Sequence, residues 1–328
     1  MRIETKNEQV ISSEQSSGKK FQIAANAKAF EVLTSTMYKN VKASIVRELI
    51  SNGHDGHVRK GNVDESFYVH IPTWDEPEFK VRDYGCSMDE DTMMNVYTTF
   101  FSSTKNDNNE EIGGFGLGCK VPLAYTDQFT VTTFLNGVKT DYIVCKENGT
   151  PSLHKVNSEP TTEREGTLVT VPVTDSDVDT FKNYVTTMQK YSAFKFTTNM
   201  QAPEPFEEYD NCGLPWYHNI KENNDLYVRV GGVPYKVDDD DLSNVEQHRR
   251  WDSIFSLEEI KRELENSKIQ KVMSICSFDD LANTPCFIDM DVGEVDVTAS
   301  REALQFTEKT KIAVLKKLAI AKTLLVKS

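Results

Sequence analysis

Apolar residues recur at helical spacing over Val41, Ile45, Leu49 and Ile50. That pattern predicts an amphipathic helix from Val41 to Gly53, closed by Gly56 and Gly61. A first helix is expected at Ala27 to Thr36, after the short apolar segment Phe21 to Ile23. Phe67 to Ile71 and Phe79 to Arg82 are rich in aromatic and β-branched residues and read as strands, joined by a turn over Pro72 to Pro77. Asp89 to Phe101 reads as a helix, Ser102 to Gly114 as a polar mobile loop, and Leu117 to Tyr125 as a helix with Pro122 in its first turn. Three β-rich runs follow at Gln128 to Leu135, Asp141 to Cys145 and Gly166 to Val173. Asn136-Gly137 and Asn148-Gly149 mark turns among them. Thr180 to Lys190 predicts a further helix.

Pro203-Glu204-Pro205 opens a polar stretch that suits a linker. Beyond it, Tyr227 to Val230 and Val233 to Val237 flank Gly231-Gly232, a hairpin signal. A helix at Leu257 to Ser267, strands at Ile269 to Ile275 and Cys286 to Met290, and a helix at Glu308 to Val326 complete the pattern. The expected organisation is a mobile arm (1–20), an α+β domain with helices on one face of a mixed sheet (21–200), a linker (201–225), and a smaller α+β domain (226–328). The last helix runs to the end of the chain, so the sequence is expected to be a portion of something longer or a shorter relative of it.

At 328 residues there is room for two cores. The formal charge of −14 argues against direct nucleic-acid binding and against adhesion to anionic lipid. No apolar run approaches a membrane span, and the N-terminus lacks a signal-peptide pattern. The six cysteines form no CxxC pair, which points to reduced thiols in a cytoplasmic protein. Neither thiols nor histidines cluster in sequence at zinc-ligand spacing.

The chemistry concentrates in a few short segments. Glu48 and Asn52 are four residues apart and Asp55 three further on, so a helix places all three on one face. A carboxylate and an amide oxygen so placed serve a proton acceptor and a hard cation together. Asp83-Tyr84-Gly85-Cys86-Ser87-Met88 and Gly113-Gly114-Phe115-Gly116-Leu117-Gly118 follow in order. Glycines there let backbone amides approach phosphate at the start of a helix.

Taken in order, these segments and Gly166-Thr167 resemble the motifs of the Bergerat-fold (GHKL) ATPases. The resemblance implies ATP and Mg²⁺ as ligands. It implies that Glu48 is the general base and Asn52 the Mg²⁺ ligand. Asp83 would accept from the adenine amino group, with Gly85 close to the base. Asp55, Met88, Thr167, Lys105 and the lid-end residues Gly114, Phe115, Gly116, Leu117 and Gly118 would border the nucleotide. Ser87 departs from the pattern, standing where the family usually has a second glycine.

Ser300-Arg301-Glu302-Ala303-Leu304-Gln305 resembles the loop of the large heat-shock chaperone's middle domain. That likeness implies that Arg301 reaches the γ-phosphate, with Gln305 beside it. Phe21 to His57 is similar to the rIIA-like rapid-lysis proteins of T-even-type phages. This implies a phage protein made in the bacterial cytoplasm, a nucleotide-dependent homodimer, and host or phage protein partners through which it could sit at the inner membrane. The rival expectation is an ATP-binding scaffold with negligible turnover. A sensor kinase fits less well because of Arg301, and a topoisomerase subunit less well because of the acidic charge. Of His54 and His57, one is expected to face solvent and one to pack near the nucleotide rather than bind metal, and Asp238 to Asp241 to form a solvated turn.

Overall fold

Asn40 starts the central helix. Its side-chain oxygen accepts from the Ala43 N–H at 3.1 Å, a standard N-cap. After a short α1 (Ala27–Glu31), this α2 spans Val41–Lys60 and ends at Gly61, whose φ of 76° is left-handed. The Gly61 and Asn62 amides close the last turn on Val58 (3.0 Å) and His57 (3.1 Å). The helix therefore runs seven residues past Gly53, where the sequence pattern ended it. Helix propensity disfavours Gly53 and Gly56, but packing overrides it. A Cβ on Gly53 would meet Val81 and Phe67 at 3.3 to 3.4 Å, so the glycines let the helix lie close on the sheet.

The computed structural model describes residues 27–32, 38–99, 118–203, 207–209, 216–218, 226–237, 286–298, 300–314 and 317. Its larger sheet has seven strands: β1 (Phe67–His70), β2 (Glu78–Arg82), β3 (Gln128–Leu135), β4 (Val138–Glu147), β5 (Thr150–Pro160), β6 (Gly166–Pro172) and β7 (Phe196–Thr198). Their spatial order is β5-β4-β3-β6-β2-β1-β7. All neighbours are antiparallel except β1 and β7, which makes the sheet mixed. Both expected Asn-Gly turns exist, with φ of 52° and 73° at Asn136-Gly137 and 53° and 79° at Asn148-Gly149. Paired positive φ values suit a two-residue hairpin, because they match the twist of the strands.

One correction concerns β5. The sequence pattern placed no strand between the second Asn-Gly turn and Gly166. In fact β5 runs 11 residues along the outer edge of the sheet. From His154 to Pro160 its residues are exposed, so it carries no hydrophobic alternation to read. The helix expected at Asp89 to Phe101 is a π-helical stretch at Thr92–Tyr97, and that at Leu117 to Tyr125 is a 3₁₀ stretch at Gly118–Ala124 containing Pro122. A tighter 3₁₀ turn accommodates the missing N–H of Pro122 within a short segment.

The core lies between the sheet and two helices. Ile45, Val46 and Ile50 of α2 are fully buried, as are Phe181 and Val185 of α3 (Val178–Tyr191). Phe79 packs on Phe181 with ring centres 5.6 Å apart. Lys42 pairs with Asp177, and Asn40 Nδ2 donates to the Tyr184 hydroxyl at 2.6 Å, so α3 ties down the start of α2.

A second sheet has five strands: β8 (Glu207–Tyr209), β9 (Trp216–His218), β10 (Leu226–Val230), β11 (Val233–Val237) and β12 (Cys286–Met290), in the order β11-β10-β12-β9-β8. The Gly231-Gly232 hairpin is present. β8 and β9 fall in the stretch read as a linker. Arg229 and Asp289 form an ion pair across paired strands. Tyr191 at the end of α3 stacks on Tyr227 at 3.9 Å. Residues 308–314 are helical, at the start of the expected last helix. The arm 1–20, the helix expected at Leu257 to Ser267, the strand at Ile269 to Ile275 and Asp238 to Asp241 lie outside the described residues.

Candidate functional site

At the C-terminal half of α2, backbone meets backbone. A Cβ placed on Gly85 would lie 2.2 Å from the Gly56 carbonyl carbon and 2.6 Å from the His57 nitrogen. Only glycine fits there, and the Cys86 N–H donates to the Gly56 carbonyl at 3.0 Å. This contact seats Asp83, the residue just past β2, against the helix. The Asp83 carboxylate accepts from the Gly85 N–H at 3.0 Å, and its own N–H donates to the Thr167 carbonyl at 2.9 Å. Asp83 is only 8% exposed. Burial pushes its pKa up to about 7, against the Gly85 hydrogen bond and the Arg82 charge, which favour the anion.

The surrounding side chains hold this loop in place. His57 Nε2 accepts from the Tyr84 N–H at 3.0 Å, so the imidazole is neutral and its Nδ1–H faces the Asn62 carbonyl at 3.3 Å. Burial lowers its pKa. Lys60 donates to the Tyr84 carbonyl at 2.8 Å. The Tyr84 ring is flanked by the guanidinium groups of Arg82 at 4.8 Å and Arg164 at 4.7 Å. His54 stacks on Phe194 at 4.5 Å. Both histidines therefore pack, whereas one of them was expected to face solvent.

Ser87 now has a physical role. Its hydroxyl donates to the Gly166 carbonyl at 2.8 Å, tying the loop after Asp83 to β6 where Thr167 begins. A glycine at this position could not make that bond. Met88 packs against the core at the same edge.

Glu48, in the N-terminal half of α2, and Asn52, one turn further on, are both half-buried, whereas Asp55 is fully buried. Gly118 lies against Glu48, and a Cβ on it would come within 2.1 Å of Glu48 Oε2. Arg47 Nε is 4.0 Å from the Glu48 carboxylate. By the rise of an α-helix, Glu48 and Gly56 are about 12 Å apart along the axis. Lys105, Gly114, Phe115, Gly116 and Leu117 lie outside the described residues.

The second sheet reaches this end of the helix. Tyr235 on β11 is buried, which raises its pKa. The charges of Arg47, Glu48 and Arg301 all act on it, so these groups share one neighbourhood. Arg301 sits at the tip of a tight loop, with φ of 55°. Its N–H donates to the Thr298 carbonyl at 2.8 Å, and Val297 pairs with Leu304 across the loop. A left-handed arginine is an uncommon conformation and marks a tip held by its surroundings. Gln305 is exposed, four residues on, and its N–H bonds the Asp296 carbonyl at 2.8 Å.

Sequence reasoning missed Glu302. Its carboxylate accepts from the N–H groups of Lys39 (2.8 Å) and Asn40 (2.6 Å), and from the hydroxyls of Ser44 (3.0 Å) and Ser300 (3.1 Å). Burial opposes its ionisation, but these hydrogen bonds outweigh burial and hold it below the usual carboxylate range. The only sequence signal was its place beside Arg301. Away from the site, Cys145, Glu147 and His154 come within 4.8 Å across the β4–β5 hairpin, a proximity that sequence spacing hid. Glu147 and His154 pair there at 3.0 Å on the exposed face.

No family model matches this sequence, and no curated protein matches it. Among solved structures, the chain is similar to the ATPase region of Saccharomyces cerevisiae topoisomerase II bound to ICRF-187 (dexrazoxane). The TM-score is 0.53 at 14% identity, covering 80% of this chain and 77% of that one. At that identity the likeness shows the fold alone: a mixed α+β arrangement like that of the yeast ATPase region. No helix among the described residues is long and apolar enough to cross a membrane.

Proposed function

We propose that the chain binds ATP with Mg²⁺ and hydrolyses it slowly, and that its nucleotide state controls closure and dimerisation. The observation that carries this reading is the layout of α2. One helix lays Gly56 against the buried Asp83 and Glu48 against Gly118, so it carries the proton acceptor and seats the base reader, which comes from the loop after β2. The close approach at Gly85 fills the space a side chain would take with the Gly56 backbone, which fixes the Asp83 carboxylate against the helix as a candidate base reader.

In this mechanism Asp83, ionised, accepts from the exocyclic amino group of adenine. Guanine presents an acceptor there and is rejected. Asn52 would offer its amide oxygen to Mg²⁺, which supplies charge neutralisation on the phosphates. Glu48 takes a proton from the attacking water, and its half-buried position favours an acceptor with few competing waters. Arg301, from the loop beside Tyr235, stabilises charge that develops on the phosphoryl group. Gln305 assists from the same loop, and the segment that includes Lys105 and Gly114 to Gly118 closes over the phosphates. Strands β10 to β12 of the second sheet then belong to a transducer-like unit (226–328) whose docking completes the site, with β8 and β9 joining that sheet from the preceding stretch. A role like that of the phage rapid-lysis proteins, with protein partners in the bacterial cytoplasm, is the biological setting suggested by Phe21 to His57.

The test is Glu48→Gln in the purified chain. ATP turnover should fall by about 10² to 10⁴, while ATP binding measured by calorimetry stays within about twofold. Unchanged turnover overturns the role of Glu48. Tight binding without phosphate release in the wild type would make the protein an ATP-binding scaffold, and no ATP binding sinks the reading.

A further inference from the structure

The loop at 297–304 touches α2 at its first turn, not along its side. Four donors converge on the Glu302 carboxylate, and three of them (the Lys39 and Asn40 amides and the Ser44 hydroxyl) come from the start of α2, 258 to 263 positions away in sequence. The carboxylate therefore sits at the positive end of the helix dipole and satisfies backbone donors that the helix cannot satisfy itself. Arg47 reinforces the seat, donating to the Ser44 hydroxyl at 3.3 Å and to the Ser300 carbonyl at 3.4 Å. The helix has its own cap in Asn40 and its own ties to α3 through Lys42 and Asn40. Glu302 is thus not needed to start the helix. Its four charge-assisted bonds instead fix the loop to it.

We propose that Glu302 is the latch that docks the Arg301 loop onto the helix carrying Glu48. It is a positioning residue. It sets where Arg301 stands relative to Glu48. Because it grips one end of α2, docking is felt at Glu48, one turn further on, and not at the Gly56–Asp83 contact near the other end. The consequence for turnover rests on the ATPase reading above, whereas the latch itself does not.

The test uses the full chain without nucleotide and reads amide exchange. In Glu302→Gln and Glu302→Ala, the Lys39 and Asn40 amides should exchange at least about tenfold faster, since each loses a charged acceptor. Residues 297–304 should lose protection with them. Asn40→Ala removes the helix's own side-chain cap but leaves the Glu302 contacts with both amides, so 297–304 should stay protected. If Glu302→Ala leaves exchange at 297–304 at the wild-type rate, or if Asn40→Ala exposes that loop equally, the latch is wrong. With ATP, Glu302→Gln should lower kcat by roughly tenfold while the ATP dissociation constant stays within about twofold. An equal loss in Kd would place Glu302 in binding and overturn the proposal. A wild type that binds no ATP would remove the ATPase reading, yet the exchange result would still decide the latch.

Discussion

The two ends of α2 are built differently. At Gly56 the contacts are backbone on backbone, and the residues involved, from His57 to Gly85, are near neighbours in sequence. Toward Glu48 the contacts run through side chains: Gly118 lies against the Glu48 carboxylate, the Ser44 hydroxyl donates to Glu302 of the 297–304 loop, and the Glu48 charge acts on Tyr235. The first end is held by the helix, the loop after β2 and the start of β6, where Gly166 and Thr167 accept from Ser87 and Asp83. The second is complete only when distant parts of the chain arrive. Under the proposed function, such a division would leave the base-reading end preformed and the Glu48 end conditional on distant contacts.

Gly85→Ala is the strongest attempt to break the contrast. The new Cβ would press on the Gly56 backbone, which has no side chain to rotate away. Overpacking against main chain should cost about 3 kcal/mol or more, read as a fall in thermal unfolding temperature together with loss of ATP binding. If the variant keeps wild-type stability, the adenine end is not rigid. Gly118→Ala is the matched change at the other end. There the clash is with the tip of the Glu48 side chain, which can swing aside. Stability should drop by about 1 kcal/mol or less, while turnover falls by tenfold or more as Glu48 leaves its place. Equal effects of the two substitutions on stability would erase the distinction between the ends.

The smallest effect is one of pH. Burial raises the pKa of Asp83 to about 7, so the folded state favours its neutral form. The stability this group contributes is fully present below its unfolded pKa and is lost as pH rises through about 7. Nucleotide binding runs the other way, because the adenine amino group needs the anion. Affinity should weaken about tenfold between pH 8 and pH 6. Measuring adenosine beside ATP removes the phosphate's own titration. An affinity flat across that range would mean that Asp83 does not read the base in its charged form.

Much of the helix, of the turn after β2 and of the hairpins was legible. Glu48 and Asn52 at a spacing of four, Asp83 before Gly85, and the two Asn-Gly turns are local signals, and the structure places each on its expected element. The extension of α2 through Gly53 and Gly56 was not legible, because the sheet beneath overrides what glycine does in an isolated helix. β5 was hidden for the opposite reason: a strand that buries almost nothing leaves no alternation. Glu302 was hidden by distance, since a carboxylate that caps a helix more than 250 residues away looks like any surface charge. The second end of α2 is therefore mostly a tertiary fact, and the sequence held only its likeness to a known loop.

The outer strand β5 has a consequence for how the protein behaves among copies of itself. An eleven-residue sheet margin is an open template onto which another chain can add. Pro151 and Pro160 stand near its two ends and offer no N–H to an incoming strand, while Lys155 and Glu159 set charge along it. Val156, 60% exposed between them, is a weak point in that margin. The same polar character that concealed the strand from a reading of hydrophobicity discourages sheet-to-sheet aggregation at high concentration.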